Sequence, residues 1–113
     1  MPEISIAKDF SRAPGIRYRK NGPYSGEEFR ETVLVPAFSK AREQGEVLTI
    51  ILDGVAGYGS SFLEEAFGGL VRTGVSKDDV DRHLRIVAET QRFKHHQVRA
   101  MTYIADAFER REK

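Results

Sequence analysis

Ile4, Ile6 and Phe10 stand among polar neighbours at even spacing, the period of a half-buried strand. Pro14-Gly15 and Asn21-Gly22-Pro23 then punctuate the chain. Between these breaks Ile16 and Tyr18 alternate with Arg17 and Arg19, which predicts a short second strand and a hairpin-like start. Ser25 opens an S-x-x-E capping box with Glu28, so a helix should start there. Phe29, Val33, Ala37 and Ala41 fall on one face of it, widened by Leu34 and Phe38, and Gly45 should end it. Pro36 lies inside that helix and should kink it.

The run EVLTIILD is almost continuously apolar and rich in β-branched residues, the pattern of an inner strand buried on both faces. Ser61 forms a second S-x-x-E box with Glu64, ahead of Leu63, Ala66, Phe67, Leu70 and Val71 at helical spacing. Ser76 should cap a short helical turn, LRIVA should be a strand, and a last helix should span about residues 90–111. Its apolar stripe would be Val98, Met101, Ala105 and Phe108. Strands interleaved with helices predict an α/β fold: a single domain over residues 1–113, with a mixed sheet of about four strands and packed helices. The crossover between the two apolar strands should be parallel and right-handed.

Composition narrows the function classes. The chain has 113 residues, 18 basic and 17 acidic, for a net charge of +1. Such a balance supplies no global field toward nucleic acid or an anionic membrane. No apolar run approaches the ~20 residues of a membrane span, and the opening MPEISIAKDF lacks the pattern of a secretory leader. There is no cysteine, which fits a cytoplasmic protein. No cofactor motif stands out. His95 and His96 are adjacent, so on a helix they point about 100° apart and do not share a metal as an i, i+4 pair would. They read as a solvated helix face. Arg17, Arg19 and Lys20 read as outward positions of an edge strand, and the terminal ERREK as a solvated helix end.

The chemistry concentrates in LDGVAGYGSSFLEEAFGGL, residues 52–70. Gly54, Gly57 and Gly59 precede a helix whose first amides attract anions, but neither dinucleotide nor P-loop spacing is present. GYGSSF is not the G-x-S-x-G of a hydrolase elbow, so no catalytic residue is assigned and a non-enzymatic role is expected. Ser61 as a helix cap is worth about 1 kcal/mol. On the predicted helix Glu64, Gly68 and Arg72 share a face, with Glu65 and Gly69 beside them. A glycine inside a helix costs about 1 kcal/mol against alanine, so the pair asks for a reason. A smooth, solvent-facing docking strip is one, and a bend is another.

This layout resembles the STAS domain of bacterial anti-sigma factor antagonists, in which a strand leads through a serine-containing loop into a helix. More closely, PGIRYRKNGPYSGEEFRETVLVPA and GSSFLEEAFGGL are similar to a STAS-like family of unknown function (DUF4325). The resemblance implies a bacterial regulatory domain that docks a partner protein, an anti-sigma-like ATPase of the histidine-kinase type. The docking residues it implies are Gly57, Tyr58, Gly59, Glu64, Glu65, Gly68, Gly69 and Arg72. It also implies phosphorylation at Ser61, which matches the antagonists' phosphorylated serine, or at Ser60 before it. The acidic residue that precedes the serines in antagonists is Gly59 here, and the glycine after them is Phe62. The alternative is a small-ligand module binding a nucleotide or anion at the Ser60-Ser61 helix start. Self-association is a third expectation.

Overall fold

In the computed structural model, which describes residues 2–111, the apolar run forms β2 (Leu48–Ile51) at the centre of a three-stranded sheet. Its neighbours are β1 (Glu3–Ser5) and β3 (Leu84–Val87), and both pairings are parallel. The register aligns Ile4, Ile50 and Ile86 in one row and Leu48 with Leu84 in another. That face carries the core, with Leu48 and Ile50 fully buried. The opposite face holds Thr49, Ile51, exposed Arg85 and half-buried Val87. β2 is therefore fully buried on one face and half-buried on the other.

The predicted second strand is absent, and the sheet is parallel with three strands rather than mixed with about four. Residues 15–17 spend their backbone groups elsewhere. Gly15 donates to the Tyr24 carbonyl, while the carbonyls of Ile16 and Arg17 accept from Gly26 and Glu27 at 2.8 and 3.0 Å. They satisfy first-turn amides of the following helix, which otherwise lack partners. β1 is also shorter than the alternation predicts. The Ser5 hydroxyl accepts from Lys8 and the Asp9 carboxylate accepts from Ser5, which starts α1 (Ile6–Asp9) within the expected strand.

Helix α2 runs over residues 26–44, capped by Ser25, whose hydroxyl accepts from the Glu28 amide at 3.0 Å. Glu28 reaches back to the Tyr24 amide, one residue earlier than a standard box. Pro36 sits near the start of its last α-helical part, preceded by a π-helical turn, Arg30–Leu34, where the Val35 amide donates to the Arg30 carbonyl five residues back. A proline has no amide for the carbonyl four residues earlier, and its ring presses on it. The widened turn absorbs this misfit. It also moves the buried face from Phe29 to Leu34, then to Phe38 and Ala41, leaving Val33 and Ala37 half-buried. Gly45 ends the helix in the left-handed region, at φ 67°.

Helix α3 covers residues 60–72 and also contains a π-helical turn, Glu64–Gly68. Its predicted apolar residues are all buried. Helix α4 (Lys77–His83) is capped by Ser76 as expected. Helix α5 (Lys94–Arg111) follows a short 3-10 turn, Gln91–Phe93, so it begins later than predicted. Of its predicted stripe only Phe108 is buried, and Ala105 is exposed. Val98 and Met101 are 64% and 57% exposed, whereas His96, Ala100, Ala107 and Phe108 are buried. His96 is thus a core residue rather than part of a solvated face. Arg111 donates to the Val71 carbonyl in the last turn of α3 and to the Val75 carbonyl in the loop after it, so this part of ERREK is anchored; residues 112 and 113 lie outside the described residues.

Candidate functional site

The loop from residue 53 to residue 59 leaves the C-terminal end of β2, where open α/β sheets place their ligands and contacts. Asp53 fixes its start. Its carboxylate accepts from the Glu89 and Thr90 amides, both at 2.8 Å, and from the Thr90 hydroxyl at 2.7 Å, tying the β2 exit to the β3 exit. Burial would raise its pKa, but these hydrogen bonds prevail and hold it below the ordinary carboxylate value. Gly54 turns the chain with φ 95°, a conformation that favours glycine. Ala56 donates to the Arg12 carbonyl, and its own carbonyl accepts from Arg92.

Tyr58 fixes the far end. It is buried, its hydroxyl donates to the Leu52 carbonyl at 2.6 Å, and its ring meets Phe62, Phe93 and His96. Burial raises its pKa, so the phenol stays protonated and keeps donating. Between the two anchors Gly54, Ala56 and Gly57 are exposed, and Gly59 and Ser60 are exposed beyond the second. Gly59, not Ser61, is the N-cap of α3, and no side chain caps it. Ser60 therefore occupies the first helical position. Ser61 is half-buried inside the first turn, where its hydroxyl lies past the capping position.

The expected smooth strip at Gly68 and Gly69 is not open to solvent. Both glycines are buried, and side chains of this chain cover them. An added Cβ at Gly68 would run into the Glu64 carboxylate and lie 3.2 Å from Arg72 Nη1; at Gly69 it would run into the Arg30 guanidinium. The glycines make room for an ion network. Arg17 Nη1 lies 2.6 Å from Glu64 Oε1 and 3.2 Å from Glu65 Oε1. Arg72 holds Glu64 at 2.7 and 3.1 Å, and Arg30 Nη1 pairs with Glu65 Oε2 and donates to the Glu65 carbonyl at 3.0 Å. Three guanidiniums thus meet two carboxylates, with one positive charge in excess. The Arg72 hydrogen bond, then Arg17, keeps the Glu64 pKa low against its burial. Glu65 is buried, and Arg72 is exposed at the rim.

Of the residues expected to meet a partner, Gly57, Gly59 and Arg72 are exposed and Glu64 half-buried; with the two serines expected to be phosphorylated, exposed Ser60 and half-buried Ser61, they make up the rim of the loop and α3. Tyr58, Glu65, Gly68 and Gly69 lie beneath it as its support. Arg17 was expected on an edge strand and instead bridges to α3, while Arg19 pairs with Glu31 on α2. Arg30, Asp53 and His96 were not singled out as parts of the site. Only Asp53 carries a readable signal, an acid at a strand end directly before a glycine.

The burial of His96 ties the stability of the fold to pH. The residue is 8% exposed, its Nδ1 is buried without a hydrogen-bond partner, and its ring lies 5.1 Å from that of Tyr58. Burial first, then the charges of His95 and Arg99, lower its pKa below the ordinary 6.5. A folded-state pKa below the unfolded one means that the unfolded chain binds the proton first, so the fold loses stability as pH falls below 6.5. His96→Phe is expected to reduce this loss, measured as the slope of urea-denaturation free energy against pH from neutrality downward. An unchanged slope would show that His96 does not titrate with folding.

Among the described residues no helix is long and apolar enough to cross a membrane. A family model described as a STAS-like domain of unknown function (DUF4325) matches residues 25–92, more than half the chain, from the cap of α2 to the 3-10 turn before α5. No curated protein and no solved structure matches the chain.

Proposed function

The chain belongs to this STAS-like family, and from that membership we propose that it is a non-enzymatic regulatory domain that docks a partner protein through the rim of Gly57, Gly59, Ser60, Glu64 and Arg72. The partner is an anti-sigma-like ATPase of the histidine-kinase type, and the setting is the bacterial cytoplasm. The observation that carries the reading is the exposed glycine-serine loop held at both ends by Asp53 and Tyr58. A pre-formed loop loses little conformational freedom on binding, which favours docking. The exposed Arg72 guanidinium, at the end of α3 and bound to Glu64, offers charge to an acidic partner surface.

Accessibility favours Ser60 over Ser61 as the site of a phosphoryl switch. A phosphate on Ser60 would bring about −1.5 to −2 charges to the first turn of α3, where the helix terminus offsets them by roughly 0.3–1 kcal/mol. The fold would stand, while the docking rim, neutral in the sum of Glu64 and Arg72, would become negative. The test is the affinity of a purified kinase-type ATPase from the same cell for wild type, Ser60→Asp, Arg72→Glu and a distant control, Val98→Glu. Ser60→Asp and Arg72→Glu should each weaken binding about tenfold or more, by 1.4 kcal/mol or more, with Val98→Glu unchanged. Equal affinities for all four would remove the rim from the interface.

A further inference from the structure

On the other flank of the sheet, β3, α4 and α5 enclose a groove of about 670 Å³, none of whose lining residues belongs to the loop at 53–59. Its size is that of a small-molecule site. Leu84 and Ile86 from β3, Val80 from α4, and Ile104 and Phe108 from α5 line it with apolar surface, and Met101 stands at its mouth, 57% exposed.

The polar groups around this apolar lining are donors in excess. Lys77, Arg85 and Lys94 face a single acid, Asp81, and Lys77 already lies 3.4 Å from the Asp81 carboxylate. Arg85 is exposed, and neither it nor Lys94 has an ion pair among the described residues. The strand edge adds to this. The Leu52 amide donates to the Val87 carbonyl, so Val87 faces β2 and its neighbours Ile86 and Ala88 turn their backbone groups outward. Their outward carbonyls are occupied: Gln97 Nε2 donates to Ile86 at 2.9 Å, and the Lys94 ammonium donates to Ala88. Among the described residues no side chain accepts from their amides. Ala88 is fully buried, so the edge presents the Ile86 N–H beside two cations, with its acceptors already filled.

An anion that only accepts hydrogen bonds matches such a set, and the apolar lining selects what is attached to it. We propose that the β3–α4–α5 groove binds a small apolar carboxylate, its head group at Arg85, Lys94 and the Ile86 amide and its aliphatic body along Leu84, Ile104 and Phe108. The site is independent of the docking rim.

The full ¹⁵N-labelled chain is titrated with decanoate below its micellar range, and with decanol and decylammonium as probes of the same body with other heads. Decanoate should give saturable amide shifts at Arg85, Ile86 and Ala88 with methyl shifts at Met101. Decanol, decylammonium and the exposed-site variant Arg85→Gln with decanoate should each bind at least tenfold more weakly, while the rest of the Arg85→Gln spectrum stays in place. Equal binding of all three probes, shifts that saturate on another surface, or unaltered decanoate affinity in Arg85→Gln would each overturn the proposal.

Discussion

Gly26→Val is expected to leave the chain without a stable fold. Gly26 begins α2 where it crosses α3, and a Cβ there would lie 2.6 Å from the Phe62 carbonyl oxygen, 3.0 Å from Glu65 Cβ and 3.3 Å from the Ala66 amide nitrogen. Two of these three atoms are backbone, so no side chain can rotate to relieve the contact. The helices must part, and parting them opens the aromatic cluster in which the Phe29 ring lies 6.0 Å from Phe62 and 6.4 Å from Phe67. Overpacking a core costs about 1–3 kcal/mol even when side chains can shift. Loss of aromatic packing on the scale of a Phe→Ala change adds about 3–5 kcal/mol. The helix-propensity gain from removing a glycine is at most about 1 kcal/mol, far too small to compensate. A domain of this size has about 5–15 kcal/mol in total. Gly26→Ala should be folded but weakened by roughly 3 kcal/mol in urea denaturation, and Gly26→Val should show no cooperative transition. A Gly26→Val protein with wild-type stability would mean that the two helices do not approach this closely.

Arg30→Met is the second large effect. The Glu65 side chain is 9% exposed and the Arg30 side chain 14%, so this pair sits largely out of water. Removing one partner of a buried pair typically costs 3–5 kcal/mol, because the other charge stays buried. Here Arg17 remains 3.2 Å and Arg72 3.7 Å from Glu65, so the expected loss is smaller, about 2–3 kcal/mol. Arg30→Met combined with Glu65→Leu removes both charges and should recover most of that loss, since a buried pair is often matched by apolar side chains. Equal losses in the single and double variants would show that Arg30 acts by packing its stem rather than by neutralising Glu65. Gly69 belongs to the same unit. A side chain there displaces the Arg30 guanidinium, so bulk at Gly69 should act on stability before it acts on docking.

How much of this was legible in the sequence depends on the range of the interaction. Helix starts at Ser25 and Ser76 were readable because a cap is a contact over three residues. The inner strand was readable from its unbroken apolar run. The second strand was misread because Ile16 and Tyr18 alternate as a strand would, while the partners of that backbone lie in α2. Both π-helical turns escaped for a related reason. Each adds a residue to one turn, which shifts the buried face in a way that a fixed 3.6 period does not anticipate. In α5 the single stripe expected was misplaced because the buried face includes His96, whose burial among Tyr58 and Phe93 is a tertiary fact. The glycine pair at 68–69 was correctly marked as needing a reason, and the reason is Arg30 and Glu64 rather than a partner's backbone. The serine loop itself was visible from composition alone, but the exposure of Ser60 over Ser61 depended on Gly59 taking the cap.

A docking role for the pre-formed loop and the Arg72 rim requires that a bound partner cover them. Amide hydrogen exchange on the ¹⁵N-labelled chain, free and bound to the purified kinase-type ATPase, tests it most directly. Added protection is expected over residues 54–61 and at Arg72, with the β3–α5 flank unchanged. Protection confined to that flank, with the loop exchanging as fast bound as free, would contradict it.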